Sequence, residues 1–291
     1  MTKGEVLAQE PMARHTSFRI GGNADILVAP ATLEDLEAVL DLAFRRGVPY
    51  LVFGGGTNLL VRDGGIRGMA VKIGKGLDGI RVLEDGLEAG AGLPLAQVAR
   101  QAQDAGLGGL EFAFGIPGTL GGAISMNAGA HSGTISQVIT EVKAVRPGGE
   151  SRTLCPGDLE MGYRESVFSH TDWVCVTATL RLAPCPPEEI REASRRHLME
   201  RRRSQPLSQP SAGSVFKNPP GDSAGRLIEA AGLKGRCLGG AQISQVHANF
   251  IVNTGGATAR DVLELVDEAR QAVQRVHGIW LELEIRVEGE G

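Results

Sequence analysis

Glycine constrains this chain more than any other residue. It fills 41 of 291 positions, about twice the roughly 7% usual in soluble proteins. Without a collagen period, such an excess calls for many tight turns or for backbone lying directly against a ligand. Two clusters concentrate it. In Tyr50 to Val61 an apolar run ends in Gly54, Gly55 and Gly56, followed by Thr57, Asn58 and Leu59, an arrangement in which bare backbone N–H groups can cradle phosphate oxygens. It is not a Rossmann fingerprint, because Asp63-Gly64-Gly65 and Gly68 break the helix that should follow. Nor is it a Walker loop, since no Gly-Lys-Ser/Thr comes next. The second cluster, GIPGTLGGAISMNAGA from Gly115 to Ala130, sets Gly118, Gly121, Gly122, Ala128 and Gly129 around the polar ends of Thr119, Ser125 and Asn127. Two such stretches predict one diphosphate-bearing ligand held from two sides; ordinary glycine turns are the alternative.

Composition narrows the class. A net charge of -4 gives no electrostatic case for nucleic acid, and no window approaches the ~20 apolar residues of a membrane span. Cys155, Cys175, Cys185 and Cys237 show neither a C-x-x-C spacing nor matching histidines, so no metal site and no redox pair is expected. The N-terminus has no signal-peptide pattern. A cytoplasmic protein, monomeric and with reduced thiols, is the expectation.

The pattern along the chain is mixed. Thr32 caps a predicted helix over 32–46 with Leu33, Leu36, Leu40 and Ala43 at helical spacing before Gly47. Apolar runs at 25–30 and 49–53 flank it. A second helix opens at Pro94, strands at 138–146 and 150–154 join through Pro147-Gly148-Gly149, and 173–183 alternates as a half-buried strand with Cys175 on the outward face. Pro184-Cys185-Pro186-Pro187 marks a predicted domain boundary. Beyond it runs a basic helix from Glu188 to about Arg203, and a last helix over 259–277 lies between Thr258 and Gly278.

Three features carry candidate chemistry. In Gly213 to Pro219, an extended chain puts Ser214, Phe216 and Asn218 on one face and Val215 and Lys217 on the other. A hydroxyl with amide and ammonium groups nearby can serve as a proton donor; a plain strand ending at Pro219 is the alternative. The basic helix offers Arg202 and Arg203 to an anion, against the simpler reading of a solvated charged face. In the final strand, Glu284 and Arg286 share a face and sit about 7 Å apart, either flanking a bound group or keeping an edge strand soluble.

With these residues assembled, the chain resembles the MurB family of UDP-N-acetylenolpyruvoylglucosamine reductases. The resemblance runs from Thr16-Ser17-Phe18-Arg19-Ile20-Gly21-Gly22 to Glu284-Ile285-Arg286 through GGGTNLLV, GIPGTLGGAISMNAGA, YRES, AGSVFKNP, GGAQISQVHANFIVN and LELEIR. It implies an α+β fold: a two-subdomain FAD-binding region of the vanillyl-alcohol-oxidase type, plus a C-terminal α+β substrate-binding domain. The expected division is 1–185, split near 67–80, then 186–278, with a terminal strand at 279–291 that could return to the FAD-binding region. It further implies FAD as cofactor, NADPH as reducing co-substrate, and reduction of the enolpyruvyl sugar nucleotide to UDP-N-acetylmuramate in peptidoglycan synthesis. The two glycine clusters match the family's FAD-binding segments. Arg164, Ser214 and Glu284 fall at its catalytic positions, with Ser214 as proton donor and a protonated Glu284 beside Arg164 stabilising the enolate. Asn218, Lys217 and Tyr163 fall in substrate-contacting motifs, and Arg202, Arg203 and Arg286 are the expected diphosphate ligands. With Tyr50 and Tyr163 as the only tyrosines, the shorter subtype without a tyrosine-bearing loop is expected. A flavin oxidase on the same fold and a non-catalytic nucleotide-binding module are the alternatives.

Overall fold

A computed structural model describes residues 3–131 and 133–291. The chain forms two compact units, and it passes between them repeatedly. Residues 1–7, 26–55 and 68–201 make the first; residues 8–25, 56–67 and 202–291 make the second.

Two larger sheets lie wholly or mostly in the first unit. One orders strands Glu5–Pro11, Asn23–Ala29, Ile66–Lys72 and Tyr50–Phe53, and Tyr50 to Phe53 run parallel to Met69 to Lys72. Parallel neighbours need a crossover, and residues 54–65 supply it, while helix α1, Leu33–Arg46, joins Asn23–Ala29 to Tyr50–Phe53. Thr32 caps α1 by accepting the Asp35 N–H at 3.2 Å, Gly47 ends it at φ 61°, and Leu36, Val39, Leu40 and Ala43 face the core. The second sheet is antiparallel in the order Glu150–Leu154, Ile139–Arg146, Val174–Arg181, Gly86–Gly90, Ile80–Leu83. Helices α2 (Leu95–Asp104), α3 (Leu120–Ser125) and most of α4 (Pro187–Ser204) complete the unit.

One continuous apolar cluster, from Val28 to Leu182, runs through both sheets. The subdomains expected on either side of 67–80 therefore share a core. The units also part at 201–202 rather than at 185–186, because α4 packs with the first unit: Leu198 and Arg201 lie 3.2 Å from where a Cβ on Gly115 would stand. Cys175 departs from the simple alternation. The register between Ile139–Arg146 and Val174–Arg181 shifts at Lys143/Ala144, and a shift of this kind breaks the period of two, so Val174, Cys175 and Val176 are all buried. Burial pushes the Cys175 thiol up to about 12. The other three cysteines are free as well.

The second unit packs helices α5 (Ala224–Ala230) and α6 (Ala259–His277) with an antiparallel meander of Cys237–Leu238, Ala241–Ile243 and Ile251–Asn253. Strand Leu59–Val61 pairs in parallel with Arg286–Glu288, so the C-terminal stretch belongs to this unit. Only 286–288 of that stretch is regular strand, although Leu281 and Ile285 are buried in the alternation expected. Phe18, Ile20 and Leu60 join the core built around Val262, Leu265 and Val266 of α6. At the start of α6, Thr258 and Asp261 form a capping box and Gly278 ends the helix at φ 70°. Asp63, far away in sequence, accepts the N–H groups of Ala259 at 2.8 Å and Arg260 at 3.0 Å, satisfying two of the donors a helix start leaves open. Among the described residues no helix is long and apolar enough to cross a membrane.

Candidate functional site

In the first unit the two glycine clusters meet. A Cβ added to Gly54 would lie 2.2 Å from Thr119 Oγ1, so the approach requires glycine. That Thr119 oxygen accepts the Gly122 N–H at 3.3 Å and caps α3. Gly118 adopts φ 113°, and its carbonyl accepts the Leu95 N–H at 3.0 Å. Gly121 lies against Ala91, where a Cβ would come within 2.9 Å of the alanine's. Gly55 is exposed. A helix inside the second cluster was not expected from its glycines; it forms around the Thr119 cap and the close contact at Gly121.

The second cluster is fastened to the YRES turn. Gly162 and Glu165 bridge across the two-residue loop Tyr163-Arg164, with the Gly162 N–H donating to the Glu165 carbonyl at 3.1 Å. Asn127 Nδ2 donates to Gly162 O at 2.7 Å while its Oδ1 accepts the Ser136 N–H at 3.2 Å. The fully buried Ser166 hydroxyl donates to Ser125 O at 2.9 Å. Arg164 reaches Gly129 O at 3.4 Å and lies over the exposed ring of Tyr163, 5.3 Å from its centroid. Asn127, Arg164 and His131 hold φ of 41°, 61° and 52°, a region costly for residues with a Cβ. These three, with Gly129, Ala130 and Tyr163, help line a cavity of about 230 Å³. Backbone strain is thus concentrated where the motifs converge, as at sites held in shape by their surroundings. Ala128 sits one residue from this wall, its N–H bonded to Ala123 O at 2.8 Å.

In the second unit, the segment around Ser214 is threaded between two others. Ser214 bridges Phe250 and Phe216 bridges Leu283, both antiparallel. The Val215 N–H donates to Asn249 O at 2.8 Å, and the Val215 carbonyl accepts the Glu284 N–H at 2.8 Å. The Lys217 N–H donates to Glu282 O at 2.9 Å. Ser214 and Glu284 are therefore placed by directly paired backbone. Val215 and Phe216 are both buried, Ser214 and Lys217 half-buried, and Asn218 exposed. The shared face expected for Ser214 and Asn218 is modified by a second duty of the asparagine: Asn218 Oδ1 accepts the Ala224 N–H at 3.0 Å at the start of α5. Lys217 Nζ pairs with Glu282 at 3.9 Å.

The GGGTN loop extends into this unit. A Cβ on Gly56 would stand 2.1 Å from His15 O, and the Ser17 N–H donates to Gly56 O at 3.0 Å while the Ser17 hydroxyl donates to Ser211 O at 2.6 Å. Asn58 Nδ2 donates to Glu284 O at 2.9 Å, and the Asn58 carbonyl accepts the Arg286 N–H at 2.9 Å. Asn58 thus holds the backbone on the C-terminal side of Glu284, whose own N–H pairs with Val215. Thr57 is half-buried beside it, and Leu59 is buried. Of the arginines expected at a diphosphate, Arg202 and Arg203 are exposed, and Arg286 is exposed and paired with Glu288 on its own strand.

Two residues of the site were not singled out from the sequence. Asn249, only 3% exposed, accepts the Phe216 N–H at 2.9 Å and donates to the Phe216 carbonyl at 2.8 Å. Its signal was an amide inside the apolar run Ala248 to Val252. Arg201, against Gly115, has a buried Nε with no hydrogen-bond partner among the described residues, and burial pushes its guanidinium below its usual pKa. The arginine that turns inward could be identified only from the phase of α4.

Residues 24–154 match the family described as FAD binding domain. Residues 205–288 match that described as UDP-N-acetylenolpyruvoylglucosamine reductase, C-terminal domain. A cholesterol oxidase from Brevibacterium sterolicum, 18% identical, aligns over 62% of this chain with a TM-score of 0.50, a likeness of fold alone. The fold class is α+β, with an FAD-binding region of the vanillyl-alcohol-oxidase type joined to a second α+β unit. This is a flavoprotein architecture. A Geobacter metallireducens protein named UDP-N-acetylenolpyruvoylglucosamine reductase is 48% identical over 289 residues, covering 99% of this chain and 95% of its own. A second protein so named, from Moorella thermoacetica, is 47% identical over 293 residues, covering 99% and 95%. The solved MurB structure from Thermus caldophilus aligns over 99% of both chains at 37% identity and a TM-score of 0.84. The chain belongs to the UDP-N-acetylenolpyruvoylglucosamine reductase family of enzymes.

Proposed function

We propose that this protein reduces the enolpyruvyl group of UDP-N-acetylenolpyruvoylglucosamine to give UDP-N-acetylmuramate for peptidoglycan synthesis, with NADPH as reductant and Ser214 as proton donor. The observation that carries the reading is the pairing of Val215 with Glu284, which fixes a hydroxyl and a carboxyl side chain on adjacent extended segments. The glycine segments fit the cofactor. Gly54 and Gly56 stand where any Cβ would meet Thr119 or His15 O, and small and polar residues line the cavity beside Arg164. Gly54 to Leu59, Gly118, Thr119, Gly121, Gly122, Ser125, Asn127, Ala128 and Gly129 are the residues proposed to hold it. The chemistry that FAD would supply there is hydride transfer, from NADPH to the terminal carbon of the vinyl group.

The protein's own groups then complete the reduction. Hydride addition leaves negative charge on the α-carbon, delocalised into the carboxylate as an enolate. Arg164, held in a strained turn, and Glu284 in its protonated form donate hydrogen bonds to that charge; preorganised donors of this kind are worth about 10²–10³ in rate each. Ser214 delivers a proton to the α-carbon, so one hydride and one proton saturate the double bond. Serine is a weak acid, and the step depends on a strongly basic enolate and on cationic groups that favour the alkoxide. Tyr163, Lys217 and Asn218 contribute to substrate binding. For the diphosphate, Arg202, Arg203 and Arg286 have the exposure a surface ligand needs.

Anaerobic half-reactions test the assignment. Ser214→Ala should be reduced by NADPH at the parent rate, whereas reoxidation by the enolpyruvyl sugar nucleotide should fall about 10²–10⁴-fold, the usual contribution of a positioned acid. Parent rates in both half-reactions would remove Ser214 from the chemistry. Rapid peroxide formation with an alcohol, and no reoxidation by the sugar nucleotide, would instead identify an oxidase.

A further inference from the structure

The proposed reaction uses neither His131 nor α4's His197 and Glu200, yet the fold assembles them. Their ligand atoms all lie within 4.8 Å of one another. His131 Nδ1 is 3.2 Å from Glu200 Oε2, and the His131 and His197 rings stack with centroids 4.1 Å apart. We propose that these three side chains form a zinc site, separate from the flavin chemistry, that fastens the cavity wall to α4.

His197 and Glu200 are three apart on α4, so they project from one helix face. His131 stands at the turn between strands Gly129–Ala130 and Gly133–Thr134. Its left-handed backbone, φ 52°, fixes the imidazole's approach to the helix. Two imidazole nitrogens and one carboxylate oxygen are the donor set of His₂Glu zinc sites, which bind through three protein ligands and leave a fourth position to water. A tetrahedral ion with ligands at about 2.1 Å spaces its donors about 3.4 Å apart. The His131–Glu200 pair already matches that spacing, and rotation about side-chain torsions brings His197 in. His131, Gly129 and Ala130 also line the cavity, so a bound ion would tie that wall to α4. The cysteine spacings gave no hint of such a site, because its ligands meet only in the folded chain.

Titration calorimetry with zinc chloride on chelator-treated, flavin-loaded protein tests the proposal. One ion should bind per chain, and His131→Ala and His197→Ala should each weaken binding on the order of 100-fold, with the flavin spectrum of His197→Ala unchanged. Cys155→Ser and Cys237→Ser, which remove the exposed thiols, should bind zinc as the parent does. The absence of one-to-one binding in the parent would overturn the site. So would binding that survives both histidine substitutions, or binding that disappears with either thiol. As a second readout, zinc should raise the melting temperature of the parent and leave that of His197→Ala unmoved.

Discussion

Asn249→Ala should separate what holds Ser214 in place from what Ser214 does. The wild-type carboxamide makes two buried bonds to one residue, accepting from Phe216 N and donating to Phe216 O. Alanine leaves both backbone groups in a site where Phe216 is 1% and Asn249 3% exposed. Each stranded group costs about 1–3 kcal/mol, so the variant should lose about 2–6 kcal/mol, a large part of the roughly 5–15 kcal/mol that stabilises a domain. At a urea slope of about 2 kcal/mol/M, a loss of about 4 kcal/mol moves the midpoint down by about 2 M. The assay is urea unfolding followed by Trp280 fluorescence in a Trp173→Phe background, so that the only tryptophan lies in the second unit. Asn249→Asp should do little better at neutral pH, because a carboxylate still accepts from Phe216 N but cannot donate to its carbonyl. A midpoint within about 0.5 M of the parent for Asn249→Ala, at unchanged slope, would show that these bonds do not hold the segment.

Other perturbations test other parts of the structure. Gly54→Ala puts a Cβ 2.2 Å from Thr119 Oγ1 and should weaken FAD binding at least about tenfold in flavin titrations; adding Thr119→Ala should recover part of the loss, a non-additivity expected of residues in contact. Arg164→Gly should be about 1 kcal/mol more stable than Arg164→Ala, since only glycine accepts φ 61° without strain, yet both should lose substrate-dependent reoxidation; equal melting temperatures would refute the strain. His247 is held below its ordinary pKa by burial and then by Lys234, and its Nδ1 accepts the Asn249 N–H at 3.2 Å. A depressed folded pKa gives stability that is intact above the unfolded value of about 6.5 and is lost as pH falls toward the folded one. Melting temperature should therefore drop on that limb, and His247→Gln should flatten it.

Local chemistry made much of the fold legible. Thr32 with Gly47 and Thr258 with Gly278 mark α1 and α6 because caps are short-range signals, and Pro147-Gly148-Gly149 marks a hairpin for the same reason. The alternation of Leu281 and Ile285 survives even where regular strand does not form. What escaped depends on distant partners. The bulge that buries Cys175 requires the register of a neighbouring strand, and Asp63 at the start of α6 is a contact across most of the chain. Segments 8–25 and 56–67 carry no composition break, so nothing local assigns them to the second unit. Arg201 rather than Arg202 or Arg203 turns inward because Gly115 leaves room for it. The motif residues themselves were readable, but the work of Asn58 and Asn249 on backbone was not, since an amide's hydrogen bonds are invisible until its partners are in place.

The interleaved make-up of the second unit has a consequence for its biosynthesis. Phe18, Ile20 and Leu60 belong to a core whose other members lie beyond residue 211. At ribosomal rates of about 5–20 residues per second, these apolar side chains wait on the order of ten seconds or more for their partners to be synthesised. During that interval the nascent chain presents hydrophobic strands with nowhere to pack, a state that chaperones recognise. The same arrangement means that residues 202–291 made alone would lack part of their own interior, so a shortened C-terminal fragment should aggregate unless the two early segments are supplied in trans.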